Sequence, residues 1–335
     1  MRAIILVGGF GTRLRPLTNE KPKQILTVGN RPMLENVIEN LSNHGIVEVI
    51  LSMGFQPSAF VDAYPDEMCA GLPLKYVVEP EPLDTAGAIR FAALQSGVDQ
   101  TFLVCNGDVI TEIDVSGLIA FHRNASAEAT ISLTPTDNPS QYGIVPTDNN
   151  GQVKGFIEKP PGPDFETNLI NAGYYVMEPS TLDRIASDRP VSVETEIFPK
   201  MAEEKTLYAL SSETYWIDAG TPETFLQANL DLLNGMRSKT IKGIHNEASI
   251  SPNAVVVSSI IGRGVKIADG ASVKNSVLME GAEVEKNARI EASIVGERAK
   301  IGESSQVLEL TIVNHEEIVE KRTQLRSVCI PKLAD

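Results

Sequence analysis

The C-terminal part of the chain repeats at a nearly constant interval, and this repeat constrains the fold more than any other feature. A serine or threonine followed by two aliphatic residues recurs every seventeen or eighteen positions, at residues 259–261, 276–278, 293–295 and 311–313. Between these triplets, aliphatic residues lie six apart, in the pairs Ile250 and Val256, Ile267 and Val273, Val284 and Ile290, and Ile301 and Val307. One aliphatic residue on each short edge, with three edges per turn, is typical of a β-solenoid. We therefore predict a left-handed β-helix of the hexapeptide type over residues 244–335.

Two alternative interpretations of this C-terminal part are weaker. An irregular β-sandwich would have to produce four matching coils by accident. An acyltransferase solenoid is also conceivable, but the coils are few, and His245 and His315 lie outside the repeat core. Oligomerisation or regulation fits the predicted β-helix better, and because solenoid faces stack readily, we expect a homo-oligomer.

The first half of the chain alternates short apolar runs with helical patterns. Strands are predicted at residues 3–7, 47–52, 74–78 and 101–105, and helices at residues 32–41 and 86–94. This alternation is typical of an α/β domain with a mostly parallel, doubly wound sheet, which binds ligands at the carboxyl ends of its strands. We predict such a Rossmann-like domain over residues 1–235, followed by a linker at 236–243. Further strands at 131–134, 142–145, 153–157 and 173–177 suggest a further, β-rich lobe.

Charge and cysteine content exclude several classes of function. The formal net charge is −15, so attraction to nucleic acid or to an anionic membrane is not expected. The three cysteines are scattered, which indicates neither a disulfide framework nor a metal site. No apolar run reaches the length of a membrane-spanning helix or resembles a signal peptide, so we expect a cytoplasmic protein without membrane partners.

A glycine-rich loop at residues 8–14 directly follows the first predicted strand. Its three glycines, Gly8, Gly9 and Gly11, allow the backbone to approach an anion, and Arg13 adds a guanidinium group for phosphate oxygens. Leu14 occupies the position of the third glycine of a dinucleotide-binding fingerprint, and the lysine of a P-loop is missing. A plain strand-to-helix turn would leave the Thr-Arg pair at residues 12–13 unexplained.

Residues 8–18, with the pattern GGxGTRLxPLT, resemble the signature of the sugar-phosphate nucleotidyltransferases, and within them the mannose-1-phosphate guanylyltransferases. Residues 21–23 and 30–33 continue the resemblance, which extends in order over roughly residues 1–234. It implies transfer of a nucleoside monophosphate from a nucleoside triphosphate to a sugar 1-phosphate, with release of pyrophosphate. It also implies triphosphate contacts from Arg13 and Lys23, and nucleotide contacts from Leu6, Gly8, Gly9, Gly11 and Thr12.

Residues 79–87 resemble the segment of this family that recognises the base, and the resemblance implies nucleotide contacts from Glu79, Asp84 and Thr85. The family more often has glycine where Asp84 stands. Relatives that use uridine or thymidine nucleotides tend to carry glutamine at the position of Glu79. A carboxylate only accepts hydrogen bonds, and guanine offers two adjacent donors, so Glu79 favours GTP. Glu81 could take this part instead, or both could be exposed loop acids.

Two aspartates stand in segments that resemble the metal-binding segments of the family. Asp108 follows a predicted buried strand, and Asp218 stands far downstream in the pattern WIDAGTP at residues 216–222. Two carboxylates, with water and phosphate oxygens, suit the octahedral shell of Mg²⁺. We therefore predict Mg²⁺ as the cofactor, although either aspartate alone would more often belong to a turn or a helix cap.

Three short motifs complete the resemblance on the sugar side. Gly143 would let a sugar hydroxyl approach the backbone, Glu158 and Asn171 would contact the sugar, and Lys159 would hold the sugar phosphate. The implied mechanism is a direct displacement that needs no protein nucleophile. The same chemistry on glucose 1-phosphate with dTTP or UTP stays open, and so does a catalytically silent scaffold, although Arg13, Lys23, Asp108, Lys159 and Asp218 are all present.

Overall fold

The computed structural model describes residues 1–160 and 165–332 and divides into two compact units. The first unit contains Met1–Gly9 and Val37–Trp216, and the second contains Phe10–Asn36 and Ile217–Asp335. The glycine-rich segment after Gly9 is thus grouped with the C-terminal part of the chain. The predicted domain bounds at 235 and 243 stay a prediction.

The first unit is built on one mixed sheet with helices between its strands. The strands of the main sheet are β1 (Arg2–Leu6), β2 (Glu48–Met53), β3 (Met68–Cys69), β4 (Leu72–Val78), β5 (Phe102–Asn106), β7 (Ala129–Pro135), β8 (Gly143–Ile144), β9 (Ile157–Glu158), β10 (Leu169–Met177) and β11 (Leu207–Ser211). Two short strands, β6 (Val109–Thr111) and β12 (Trp216–Asp218), lie outside this sheet. The helices are α1 (Met33–Ser42), α2 (Pro57–Ala63), α3 (Asp84–Ser96), α4 (Val115–Ala125) and α5 (Phe198–Glu203), and α1 begins in the segment of the second unit.

The order of the strands confirms a doubly wound sheet. The sheet runs β11-β7-β10-β5-β1-β2-β4-β3, so the chain first builds outward from β1 through β2 and β4 and then returns to place β5 on the other side of β1. Strands β1, β2, β4 and β5 are parallel where they pair. The reversal of strand order between β1 and β5 is a topological switch point, where open α/β sheets bind ligands.

The strands after residue 129 do not form a separate lobe. Strand β10 pairs antiparallel with β5, β7 pairs antiparallel with β10, and β11 pairs parallel with β7, so all three extend the main sheet. The strand expected at residues 153–157 is reduced to an isolated bridge at Val153 and the short strand β9. Buried apolar residues on β5, β7 and β10 join those of α3 and α5 in one core, which explains why these strands add to the sheet.

The C-terminal part forms three parallel sheets of five short strands each, consistent with a left-handed β-helix. Their strands are β13 (Ser249–Ile250), β16 (Lys266–Ile267), β19 (Glu283–Val284), β22 (Lys300–Ile301) and β25 (Ile318–Val319); β14 (Val255–Val257), β17 (Ser272–Lys274), β20 (Arg289–Glu291), β23 (Gln306–Leu308) and β26 (Gln324–Arg326); and β15 (Ile260–Ile261), β18 (Val277–Leu278), β21 (Ile294–Val295), β24 (Ile312–Val313) and β27 (Cys329–Ile330). The aliphatic pairs of the repeat fill its interior. A fifth coil, in addition to the four predicted, continues past residue 317 with Val319 and Leu325 in register with Ile301 and Val307.

A ladder of buried serines explains the residue that opens the first three triplets of the repeat. Ser276 accepts a hydrogen bond at Oγ from the Ser293 N–H (3.1 Å) and donates to the Lys274 carbonyl (2.6 Å). Ser259 receives the Ser276 N–H in the same way (3.2 Å). These hydroxyls satisfy backbone groups that would otherwise be buried without partners. The serine of the repeat is therefore a structural requirement of the coil corner.

Helix α6 (Pro222–Asn234) leads toward the β-helix. It begins with a capping box, in which Thr221 and Thr224 exchange hydrogen bonds, and it ends at Gly235 with φ 75°. In residues 236–243 no helix or strand is assigned. Across the described ranges, 1–160 and 165–332, no helix combines the length and the apolar character that a membrane span requires.

Candidate functional site

The switch point of the sheet places Leu6 and Asn106 side by side. Leu6 at the end of β1 pairs with Asn106 at the end of β5, and the Leu6 carbonyl accepts a hydrogen bond from the Gly107 N–H at 3.1 Å. Gly8 and Gly9 follow β1, and Asp108 stands in the turn after β5. Gly8 and Gly9 are predicted to bind phosphate, and Asp108 is predicted to bind a metal ion. These residues therefore follow neighbouring strands at the same edge of the sheet.

Glu79 lies at the end of β4 and faces Gly8. A Cβ at position 8 would lie 3.2 Å from Glu79 Oε1 and 3.2 Å from the Gly54 nitrogen, so only glycine allows this approach without a shift. Ser52 donates from Oγ to Glu79 Oε1 at 3.2 Å, and the Leu83 N–H donates to Oε2 at 3.3 Å. These bonds orient the carboxylate beside Gly8.

Burial raises the pKa of Glu79 above its ordinary 4.5, although the hydrogen bonds from Leu83 and Ser52 lower it in part. Each carboxylate oxygen has more than one lone pair. The group can therefore accept further donors from a ligand while Ser52 and Leu83 hold it in place. Glu81, the alternative residue for base recognition, is exposed.

Asp84 and Thr85 begin helix α3 in different roles. Asp84 has φ 60°, a left-handed conformation that glycine adopts without strain and aspartate tolerates better than most residues. This backbone explains why glycine would suit the position. Thr85 donates from Oγ1 to Glu194 Oε2 at 2.6 Å and accepts from the Val193 N–H at 2.8 Å. Its hydroxyl therefore ties α3 to the short π-helix Val193–Ile197.

Gly143, Glu158 and Lys159 come together on the paired strands β8 and β9. Gly143 is opposite Glu158 in the pairing, and a Cβ at Gly143 would lie 2.9 Å from Glu158 Oε2 and 2.7 Å from Phe156 Cζ. Lys159 Nζ lies 3.3 Å from Glu158 Oε1, and 67% of the lysine side chain is exposed. An exposed ion pair of this kind adds little stability, so Lys159 is available to an anionic ligand.

Asn171 lies on β10, where its amide makes two hydrogen bonds. It donates from Nδ2 to the Tyr175 hydroxyl at 2.9 Å and accepts at Oδ1 from the Gly173 N–H at 2.9 Å. Gly173 in turn packs closely against Asn106: a Cβ added at Gly173 would lie only 2.8 Å from Asn106 Nδ2. These contacts link the predicted sugar-binding residue to the end of β5.

In the second unit, the glycine-rich loop continues as a tight turn. Gly11 has φ 61°, and its carbonyl accepts from the Leu14 N–H (2.9 Å) and from Thr18 Oγ1 (2.8 Å). Residues Thr12–Leu14 form a 3₁₀ turn that carries Arg13. A Cβ at Gly11 would lie 3.4 Å from Lys23 Cβ, so the loop folds back beside the second predicted triphosphate residue.

Replacing Gly11 by alanine is expected to destabilise the second unit by about 1–2 kcal/mol, because alanine is strained at positive φ. The new Cβ would also lie 3.2 Å from Thr18 Cγ2. Thermal unfolding measures the effect. Gly9→Ala is the matched control, because a Cβ at Gly9 meets nothing within 4 Å. Equal midpoints for the two variants would contradict the structural role assigned to Gly11.

Arg13 and Asp218 form an ion pair in the second unit. Arg13 Nη2 lies 3.5 Å from Asp218 Oδ2, with 60% of the arginine side chain and 16% of the aspartate side chain exposed. A Cβ at Gly220 would lie 2.7 Å from Arg13 Nη2 and 2.7 Å from Asp218 Oδ1. The absence of a side chain at Gly220 therefore keeps both charged groups in one cradle.

The donor set at these aspartates suits a hard divalent cation. Among residues 1–160 and 165–332, no cluster of three or more His, Cys, Asp or Glu side chains could hold a metal ion. Mg²⁺ commonly uses only one or two protein carboxylates and completes its shell with water and substrate phosphates. The cradle beside Gly220 and the carboxylate of Asp218 fit such a site, and Asp108 belongs to the first unit.

The predicted site residues divide between the units. The first unit brings Gly8 to Glu79 and Gly143 to Glu158 and Lys159, and the second brings Gly11 to Lys23 and Arg13 to Asp218. Sequence reasoning missed Ser52 and Glu194. Ser52 ends a buried strand, and a polar residue there is a usable signal. Glu194 gives no local signal, although burial raises its pKa and Thr85 and Ser192 donate hydrogen bonds to it.

Comparison with known proteins identifies the two parts of the chain. The family described as nucleotidyl transferase matches residues 2–235, and the family described as GMPPB C-terminal domain matches residues 240–333. Two similar relatives are a mannose-1-phosphate guanylyltransferase from Mycobacterium tuberculosis, 37% identical over 82% of this chain and 79% of the relative, and the mannose-1-phosphate guanylyltransferase catalytic subunit beta from Dictyostelium discoideum, 40% identical over 76% and 73%.

A solved structure of HddC from Yersinia pseudotuberculosis gives a TM-score of 0.60 at 28% identity and covers 68% of this chain and 97% of that chain. The enzyme class implied by the signature at residues 8–18 is therefore confirmed. The chain belongs to the nucleotidyl transferase family, and its relatives include mannose-1-phosphate guanylyltransferases.

Proposed function

We propose that the chain transfers GMP from GTP to mannose 1-phosphate and forms GDP-mannose and pyrophosphate. Membership of the family supports the reaction, and the relatives support the two substrates. The observation that carries the choice of base is the Glu79 carboxylate, which stands against Gly8 at the switch point and is oriented by Ser52. Only an acceptor suits the adjacent N1–H and N2–H₂ donors of guanine.

The proposed step is a direct displacement at the α-phosphorus of GTP. An oxygen of the sugar phosphate forms the new bond to phosphorus while the bond to the β-phosphate bridging oxygen breaks, and pyrophosphate leaves in line. Arg13 and Lys23 stabilise the charge of the leaving group. Lys159 holds the sugar phosphate, and Gly143, Glu158 and Asn171 contact the sugar. Because the attacking oxygen is already anionic, alignment and charge neutralisation supply the catalysis.

Asp108 and Asp218 are the residues proposed to hold Mg²⁺. When bound, the ion would neutralise phosphate charge and polarise the reacting phosphoryl group. Arg13 next to Asp218 then serves two purposes: it keeps the carboxylate paired and lies ready for the phosphates. The remaining nucleotide contacts are proposed for Leu6, Gly8, Gly9, Asp84 and Thr85 in the first unit and for Gly11 and Thr12 in the second.

The experiment that tests the function is pyrophosphate release in the presence of Mg²⁺. GTP, dTTP, UTP, ATP and CTP are each paired with mannose 1-phosphate and with glucose 1-phosphate. Fast release with GTP and mannose 1-phosphate alone is the expected result. Release with dTTP or UTP and glucose 1-phosphate would keep the displacement chemistry and overturn the role of Glu79. Silence in every pairing would favour the scaffold instead.

We also propose that the protein is a cytoplasmic homo-oligomer. The net charge of −15 gives no reason for nucleic-acid or membrane partners. The ends of a β-helix expose strands that can pair or stack with a second copy. Light scattering on the full chain measures the mass directly, and a clean monomer over the working concentration range would contradict an oligomer.

A further inference from the structure

A corner of the β-helix contacts the loop that carries Arg13 and Lys23. His315, between β24 and β25, lies with Nε2 3.0 Å from the Leu17 carbonyl oxygen, 298 positions earlier in the chain. Its other ring nitrogen, Nδ1, lies 3.0 Å from the Glu297 nitrogen. Both partners belong to the second unit. One imidazole therefore connects a coil of the β-helix to Leu17, which follows the glycine-rich loop of residues 8–14.

The partners of His315 determine its protonation state. A backbone N–H donates to Nδ1, so Nδ1 must offer a lone pair, and a backbone carbonyl accepts from Nε2, so Nε2 must carry the proton. The ring is therefore neutral. Burial lowers the pKa of His315 below 6.5, Glu297 raises it in part, and Lys21 and Arg298 oppose protonation. Glu20, Glu316 and Glu317 line the cavity beside the ring.

An ion pair reinforces the same corner. Lys21 Nζ lies 2.5 Å from both Glu297 carboxylate oxygens, and only 14% of the Glu297 side chain is exposed. Glu297 thus makes two contacts at this corner. Its backbone N–H donates to His315 Nδ1, and its carboxylate pairs with Lys21. A cavity of about 600 Å³ opens beside these groups, between the loop and the coil.

The contacted residues continue directly into the phosphate-binding turn. The Leu17 N–H donates to the Leu14 carbonyl at 3.1 Å, and Thr18 Oγ1 donates to the Gly11 carbonyl at 2.8 Å. Leu17 and Thr18 are both buried. A shift of the Leu17 carbonyl would therefore move the turn that contains Arg13, and a shift of Lys21 would move Lys23 two residues later.

We propose that His315 and Glu297 are positioning residues, through which the β-helix holds the phosphate-binding loop in its productive geometry. This inference rests on the proposed function, because it assigns Arg13 and Lys23 to the phosphates. It gives the β-helix a part in catalysis that oligomerisation alone would not supply. Misplacement of catalytic groups by about 1 Å can cost about 100-fold in rate.

The test compares His315→Ala, His315→Gln and the control His245→Ala in the full chain, with GTP and mannose 1-phosphate. His245 is another β-helix histidine, and its Nδ1 accepts from the Glu247 N–H at 3.2 Å. We expect kcat/KM for GTP to fall about 10- to 100-fold in H315A, and we expect kcat itself to fall as well. H315Q, whose amide can still donate to the Leu17 carbonyl, should recover most of it, and H245A should stay near wild type.

Two further readouts separate positioning from simple stability. In the wild type, kcat/KM should fall as the pH drops below 6.5 and the ring gains a proton, because the protonated Nδ1 opposes the Glu297 N–H. H315Q should lose the part of this acid-side fall that comes from His315 and keep any part that comes from Glu79. Hydrogen exchange at residues 11–23 should be faster in H315A than in H245A, and this measurement needs no turnover.

The outcomes distinguish the two proposals. A wild type that releases no pyrophosphate with any pair refutes the proposed function, and hydrogen exchange then still tests the contact of the β-helix with the loop. An active wild type with H315A equal to H245A in kcat/KM and in exchange overturns the positioning role. A loss in H315A that H315Q does not recover, with no change in the pH profile, would also overturn it.

Discussion

Asparagine in place of Asp218 is expected to lower turnover about 1,000-fold while leaving the fold intact. The substitution keeps the size of the side chain and removes the charge that is proposed to hold Mg²⁺. It also removes the charge partner of Arg13, whose Nη2 lies 3.5 Å from Asp218 Oδ2. Asp108→Asn should have a comparable effect, because two carboxylates are proposed to share the ion. Pyrophosphate release at saturating GTP and mannose 1-phosphate measures both.

The control for these variants is Asp62→Asn, which removes one negative charge from an exposed position on α2. Its turnover should match the wild type, because Asp62 is exposed and has no role in the proposed chemistry. Thermal unfolding should give midpoints within a few degrees for all three variants, which corresponds to about 1 kcal/mol or less. Wild-type turnover in D108N or D218N would refute the metal assignment for that residue.

Glutamine in place of Glu79 is expected to lower kcat/KM for GTP about 10- to 100-fold, because hydrogen bonds to a charged group contribute about 1.5–3 kcal/mol. Glutamine presents one acceptor and one donor, and this mixed edge suits uracil or thymine better than guanine. The ratio of kcat/KM for GTP to that for dTTP should therefore fall. The nucleotide panel with each sugar phosphate measures it.

Glu81→Gln is the matched control, since Glu81 is an exposed acid two residues later. An effect in E81Q and none in E79Q would transfer base recognition to Glu81. The pH dependence offers a second check. Burial raises the pKa of Glu79 above 4.5, so this carboxyl gains a proton at a higher pH than an exposed glutamate does. The guanine preference of the wild type should therefore decline as the pH is lowered.

The contacts between the β-helix and the segment of Leu17 and Lys21 suggest a role in catalysis for the part of the chain that matches the GMPPB C-terminal domain. A solenoid appended to a catalytic domain could serve only assembly. Here His315 and Lys21–Glu297 connect it to the loop of Arg13 within one compact unit. Substitutions in the β-helix that spare assembly could therefore still change kcat, and the H315A series measures this.

The sequence by itself was sufficient for the elements whose signals are local. Each coil of the β-helix needs an aliphatic interior, and the first three also carry a serine at the corner, so the period of the repeat predicts its strands. The turn after β1 needs glycine at residue 11 because its φ is 61°, and this need is visible in the motif. The fifth coil carries the same local signal, because Val319 and Leu325 lie six apart and pair in register with Ile301 and Val307.

Only the tertiary structure decided which distant segments meet. Antiparallel β10 joined the main sheet instead of a separate lobe, because its apolar residues share one core with β5 and α3. Thr85 hydrogen-bonds with Glu194, 109 residues away in the chain, and the Leu17 carbonyl hydrogen-bonds with His315, 298 residues away. Such pairs follow no period and no motif, since each depends on the path of the whole chain. Local chemistry therefore predicted the parts of the site, and long-range packing determined what holds them in place.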